Sequence, residues 1–174
     1  MAKFLMTELV DLAKVITARL GAGTRTASAA NLMSDKEVGK FVKLVGESRY
    51  NLCAAGDEIE GRIAAWQSAT LDDYSIGSVM VNGRFQVTAD GLQATPGTGT
   101  IALGDYVVCG TVVAKDTALT APAKVCKATA LSFATTPAVN FPAGSNLRFQ
   151  WRVISLGSAG TGAVGTTIVI ERVG

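Results

Sequence analysis

Over the first twenty positions apolar residues recur at spacings of three and four: Leu5, Leu9, Leu12, Ile16 and Leu20, with Glu8, Asp11, Lys14 and Arg19 between them. That period is the signature of an amphipathic helix. Gly21-Ala22-Gly23 interrupts it, and residues 24–34 keep neither the helical nor the strand period, which is how a tether reads. The pattern therefore predicts a helix and tether over residues 1–34 and a β-rich domain over residues 35–174. The helix has two open fates, packing on its own domain or acting as an arm that docks on a partner.

From Lys36 onward the period changes to two. Val38, Lys40, Val42 and Leu44 interleave with Phe41, Lys43 and Val45, and Tyr50-Asn-Leu-Cys-Ala-Ala55 continues the short-strand character. In Ser78 to Val87 the dipeptide Asn82-Gly83 offers the two positive-φ residues of a type I′ hairpin turn. A hairpin there pairs Met80 with Phe85 and Val81 with Arg84. It turns Met80, Phe85 and Val87 to the core and Arg84 and Gln86 to solvent or a neighbour. Asp90-Gly91 is expected to turn the chain again. Further strands are expected at Thr100–Leu103, Tyr106–Ala114, Lys124–Thr129, Leu147–Leu156 and Thr166–Val173, which are rich in β-branched and aromatic residues. The strictest alternation is Leu147, Phe149, Trp151 and Val153 against Arg148, Gln150 and Arg152. A weak internal echo sets Ala55-Gly-Asp-Glu-Ile-Glu-Gly61 beside Leu103-Gly-Asp-Tyr-Val-Val-Cys-Gly110, each a Gly-Asp turn leading into a short strand. The expected fold class is mainly β, an antiparallel barrel or sandwich with an N-terminal helix or arm.

Composition narrows the function. Hydrophobic residues make up 48% of the 174, charged residues 17%, and there are 19 glycines, a balance suited to a compact β-protein with many turns. No apolar run reaches the roughly 18 residues of a spanning helix. Glu8 and Asp11 interrupt the N-terminal apolar stretch, so no secretion signal is read and synthesis in the cytoplasm is expected. The charges are scattered, with no Lys/Arg stripe, and nucleic-acid binding is not expected. Cys53, Cys109 and Cys126 are odd in number and far apart, which suggests buried reduced thiols rather than disulfides or a zinc site.

Histidine is absent, which removes Ser-His-Asp and Cys-His catalysis and imidazole metal ligation. Gly160-Thr-Gly-Ala-Val-Gly165 matches the dinucleotide fingerprint in letters only. The next residues are Thr-Thr-Ile-Val-Ile, a strand sequence, where that mechanism needs a helix N-terminus, so the segment reads as a flexible hairpin loop. Glu58 and Glu60 on one strand face, with Asp57, Asp72 and Asp73, read as a solvated face rather than a catalytic or calcium site. Trp66 and Trp151 read as core or interface residues. No catalytic residue, cofactor or metal is expected.

The order Ala54-Ala-Gly-Asp-Glu-Ile-Glu-Gly-Arg-Ile63, then Asp73-Tyr-Ser-Ile-Gly-Ser-Val-Met-Val-Asn-Gly-Arg-Phe-Gln-Val87, then Ile101-Ala-Leu-Gly-Asp-Tyr-Val-Val108, resembles the layout of capsid cement (head decoration) proteins of tailed bacteriophages. In that family, strands introduced by Gly-Asp turns flank a central Val-x-x-x-Gly-x-x-x-Val hairpin. The resemblance covers about a third of the chain, and Thr111–Val173 carries no motif of the family. It implies a barrel or sandwich, often a trimer, on the capsid exterior, clamping neighbouring major capsid protein subunits and having no active site. A homotrimer is also expected because so apolar a chain with few charges would otherwise expose large patches. On this view Leu5, Leu9, Leu12, Ile16 and Leu20, with Arg84 and Gln86, are the candidate capsid or subunit contacts. The alternatives are another virion component, such as a tail or baseplate protein, and a glycan-binding β-module.

Overall fold

The computed structural model describes residues 14–21, 32–46, 49–67, 75–129, 132–133, 139–140 and 150–173. It is mainly β, and the chain divides into two compact units that interleave along the sequence. The first comprises Met1–Cys53, Ile59–Arg84 and Val112–Ala123; the second comprises Ala54–Glu58, Phe85–Thr111 and Lys124–Gly174.

In the first unit β1 (Val15–Leu20), β2 (Phe41–Gly46), β3 (Arg49–Leu52), β4 (Gly61–Gln67) and β5 (Ser75–Met80) close a barrel in the order β1-β3-β2-β4-β5. β1 runs antiparallel to β5 from Val15↔Met80 to Leu20↔Ser75, and parallel to β3 at Arg19↔Arg49 and Leu20↔Tyr50. β2 pairs with β3 at Val42↔Leu52 and with β4 at Phe41↔Arg62. β4 pairs with β5 through a bulge between Ile63 and Ala65. Ala18, Leu20, Met33, Val42, Tyr50, Ile63, Val79 and Val81 fill the interior, with Ile16, Leu52 and Trp66 packed against them.

The helix expected over the first twenty residues is corrected here for Val15–Leu20. Three β-branched residues open this segment, and a period of two turns Ala18 and Leu20 inward and Arg19 outward. The Ile16–Leu20 spacing that fits a helix face fits one side of a strand equally well. Lys14 lies beyond the strand and accepts the Val81 amide through its carbonyl at 2.9 Å. The earlier part of the expected helix lies outside the described residues.

The second unit contains β6 (Arg84–Leu92), β7 (Thr95–Pro96), β8 (Val107–Cys109), β9 (Lys124–Lys127), β10 (Ser132–Phe133), β11 (Val139–Asn140), β12 (Trp151–Ser155) and β13 (Thr167–Arg172). Its main sheet has the order β12-β13-β6-β9-β8, with β7 on β6, while β10 and β11 form their own ladder. β6 and β9 are parallel; β8–β9 and β12–β13 are antiparallel, the latter with a bulge between Val153 and Ser155. The end strands β8 and β12 meet at the bridge Tyr106↔Arg152, extended by the Val153 amide on the Asp105 carbonyl at 2.9 Å. Trp151, fully buried as the alternation predicted, stacks on Phe85 at 4.5 Å between ring centroids.

The expected Asn82-Gly83 hairpin does not form. Both edges of β5 are occupied, by β1 and β4, so β6 has no edge of β5 to pair with. Asn82 is not at positive φ; its side chain accepts the Gly83 amide at 2.8 Å, and Gly83 alone takes φ 117°. Met80 is accordingly half-buried while Val79 and Val81 point inward, although Phe85 and Val87 are buried as expected. Gly83→Val should still cost about 1–3 kcal/mol, because a β-branched residue is strained at positive φ. Denaturant unfolding measures this, and an unchanged midpoint would show that the backbone relaxes there at no cost.

Asp90-Gly91 does not turn the chain either: β6 runs through it, and the turn falls at Gln93-Ala94. The Gly-Asp echo does have a structural counterpart. Gly56 and Gly104 both sit at φ 83°, and in each turn the Asp carboxylate accepts the amide three residues earlier, Asp57 from Ala54 at 2.6 Å and Asp105 from Ala102 at 2.7 Å. Ala102–Asp105 leads into β8, whereas Asp57–Glu60 belongs to no strand, which corrects the expected strand carrying Glu58 and Glu60. Of the segments expected as strands, Thr100–Leu103 makes a single bridge, Thr100↔Ala163, and Tyr106–Ala114 narrows to β8.

Candidate interaction site

Among the expected contact residues, Leu5, Leu9 and Leu12 lie outside the described residues. Ile16 is half-buried against the barrel core and Leu20 is 1% exposed, so Leu20 has no surface to offer a partner. Arg84 and Gln86 point outward from β6, alternating with buried Phe85 and Val87. The surface that does stand out is one the sequence pattern did not mark, the loop Val112–Ala123 between β8 and β9.

This loop is mostly exposed and largely apolar, with Val112 at 45% and Val113 at 37% exposure. Buried charge anchors the backbone of this loop. A single 3-10 turn, Asp35–Glu37, places the fully buried Glu37 carboxylate where three donors converge. These are the Ser34 amide at 2.6 Å, the Ser34 hydroxyl at 2.8 Å and the Asp116 amide from the loop at 2.6 Å. Buried Lys40 extends its ammonium to Glu37 at 3.4 Å and donates to the loop carbonyl of Ala114 at 2.8 Å. Asp116 is held at φ 63°, the sole positive-φ residue other than glycine among those described. Such a conformation persists where surrounding contacts over-determine it. Burial alone would raise the Glu37 carboxyl, but the Ser34 donors, the Asp116 amide and Lys40 outweigh it and hold its pKa below the ordinary value.

In the second unit a second buried acid holds together the two residues, Thr111 and Lys124, that flank the loop in sequence. Asp90, 2% exposed, accepts the Thr111 amide at 2.7 Å and pairs with Lys124 at 3.4 Å, and the Gly110 amide donates to the Lys124 carbonyl at 2.9 Å. Burial pushes its carboxyl up, Thr111 and Lys124 pull it down further, and the net shift is downward. None of Glu37, Lys40, Asp90 and Asp116 was read from the sequence as part of a site; Lys40 was read only as a strand position and Asp90 only as a turn residue. The one local signal was Ser34-x-x-Glu37, the spacing of a capping box.

The three cysteines are buried thiols outside any disulfide, as expected. Burial, then the charge of Asp90, pushes the Cys126 thiol up to about 11. A thiol that stays protonated is a poor nucleophile. Cys126 should therefore resist iodoacetamide at pH 8 in the folded protein and react once urea unfolds it; equal rates in both states would refute its burial. Gly160–Gly165 lies in the hairpin connection between β12 and β13, where the Ile101 amide donates to the Gly162 carbonyl at 2.9 Å. Glu58 and Glu60 are half-buried on either side of buried Ile59. Among the described residues no group of three or more His, Cys, Asp or Glu could hold a metal ion, and no helix is long and apolar enough to cross a membrane.

Comparison with protein-family models, curated proteins and solved structures returned no match.

Proposed function

We propose that this chain is a non-enzymatic structural protein of a tailed-phage virion, one that decorates the capsid exterior and stabilises it by bridging neighbouring major capsid protein subunits. The observation that carries the reading is the apolar loop Val112–Ala123, an exposed element tied down by hydrogen bonds to buried charge. Its charged residues, Lys115 and Asp116, pair with each other at 2.8 Å, so the loop offers a neutral, apolar surface suited to another protein rather than to phosphate or headgroups. The Gly-Asp turns at Gly56 and Gly104, on which the resemblance to cement proteins partly rests, support it further.

The test is re-addition of purified protein to capsids stripped of it, read by co-sedimentation. Wild type should bind. Val112→Asp with Val113→Asp should leave stability within about 0.5 kcal/mol, as exposed substitutions do, yet lower capsid affinity at least tenfold. Failure of the wild type to bind would discard the capsid role, and binding undiminished in the variant would move the contact elsewhere.

A further inference from the structure

Traced one at a time, the two sheets repeat a single plan. We infer that the chain carries one five-stranded module twice in tandem and that, resting on the capsid role proposed for it, each copy grips one of two neighbouring capsid subunits. β1, β2, β3, β4 and β5 correspond in chain order to β6, β8, β9, β12 and β13. Around each sheet the order is then the same, β1-β3-β2-β4-β5 and β6-β9-β8-β12-β13, with the parallel pair in the same place.

Strand order alone could recur by chance, but register is not dictated by order. Leu20↔Tyr50 in the first parallel pair answers Ala89↔Val125 in the second. Val42↔Leu52 answers Val107↔Lys127. One residue before each of those valines an aromatic residue faces an arginine across the next strand, Phe41↔Arg62 and Tyr106↔Arg152. One residue after each arginine comes a buried aliphatic pair, Ile63↔Val79 and Val153↔Ile170, and a bulge then interrupts both ladders, which resume at Ala65↔Ser78 and Ser155↔Val169. A bulge is a local, position-specific departure from the ladder, so its recurrence at the equivalent residue is hard to obtain without a common plan. The closing contacts agree as well: Leu20 pairs with Ser75, and the Ala89 amide donates to the Thr166 carbonyl at 2.9 Å. Ser75 and Thr166 each lie four residues before the aliphatic residue, Val79 or Ile170, that pairs across the bulged strand. β7, the loop Val112–Ala123 and the β10–β11 ladder are additions within three of the second module's connections.

A shell is an array of one repeated protein, and a chain with two like modules can meet two members of that array at once. Joining two attachments in one chain raises avidity by on the order of 10²–10⁴-fold over one alone. The full-length protein should therefore saturate stripped shells at one chain for every two capsid subunits it contacts. A cryo-electron-microscopy map should show the two modules touching different copies of the capsid protein, the second with the Val112–Ala123 loop between its strands β8 and β9. Attachment through one module only, or saturation at one chain per contacted subunit, would overturn the bivalent inference while leaving the capsid role intact. No attachment at all would overturn the capsid role and this inference with it.

Discussion

A chain that begins at residue 35 is expected to lose the fold of the first unit. Deleting residues 1–34 removes β1, which pairs with β5 at six positions and lies beside β3. The loss has three parts. Leu20, buried to 1% exposure, contributes about 1.5–3 kcal/mol by leaving water. Ala18, Met33 and the half-buried Ile16 go with it. The barrel also opens, and the backbone groups of β3 and β5 that faced β1 lose their partners, each at a cost of about 1–3 kcal/mol if they stay buried. Set against a total stability of about 5–15 kcal/mol for a small domain, that removal leaves nothing to hold the barrel shut. Amide hydrogen exchange is the measurement: Ile63 and Val79 should lose protection in the truncated chain. Protection equal to that of the full chain would restore the helix-and-tether reading for this stretch.

Glu37→Ala should be the most damaging single substitution around the loop, at about 3–5 kcal/mol, because it leaves the buried Lys40 ammonium without its counter-charge. The Ser34 and Asp116 amides lose their acceptor at the same time. The double variant Glu37→Leu/Lys40→Met should recover part of that loss, since replacing both members of a buried pair removes the stranded charge. Urea unfolding of the two variants checks this, and a double variant no more stable than Glu37→Ala would deny the coupling. Acid has the same target. Glu37 and Asp90 both have folded pKa values below their ordinary 4.5 and 3.8. Their stabilisation is present above those ordinary values and is lost as pH falls through the lower folded ones. Wild-type stability should fall steeply below the ordinary carboxylate range, and less steeply in the double variant.

How far the sequence could be read depended on distance along the chain. Trp151 and Val153 buried about an exposed Arg152 is a local alternation, and it was legible. So were the Gly-Asp turns, whose hydrogen bonds span three residues. Asn82-Gly83 misled because turn chemistry is local while strand pairing is global: the edge that β6 would need on β5 is taken by β1, more than fifty residues earlier in the chain. Val15–Leu20 misled because apolar residues four apart satisfy both a helix face and one side of a strand, and only the β-branched opening distinguishes them. The braced loop was beyond local reading, since Glu37 and Asp116 are separated by 79 positions and Lys40 and Ala114 by 74. No period or short motif reports a contact at that range.

The interleaving of the two units bears on how the chain is made. Glu37 leaves the ribosome 79 residues ahead of the amide that completes its set of donors. At a synthesis rate of about 5–20 residues per second that is on the order of 4–16 s during which Glu37 lacks its loop donor. In the later part of that interval, once Met80 has emerged, the first barrel's strands are all out of the ribosome while the strap that completes the unit is not. The nascent barrel must therefore wait for a segment encoded inside its neighbour, and a pause in translation between residues 84 and 123 would prolong its unfinished state.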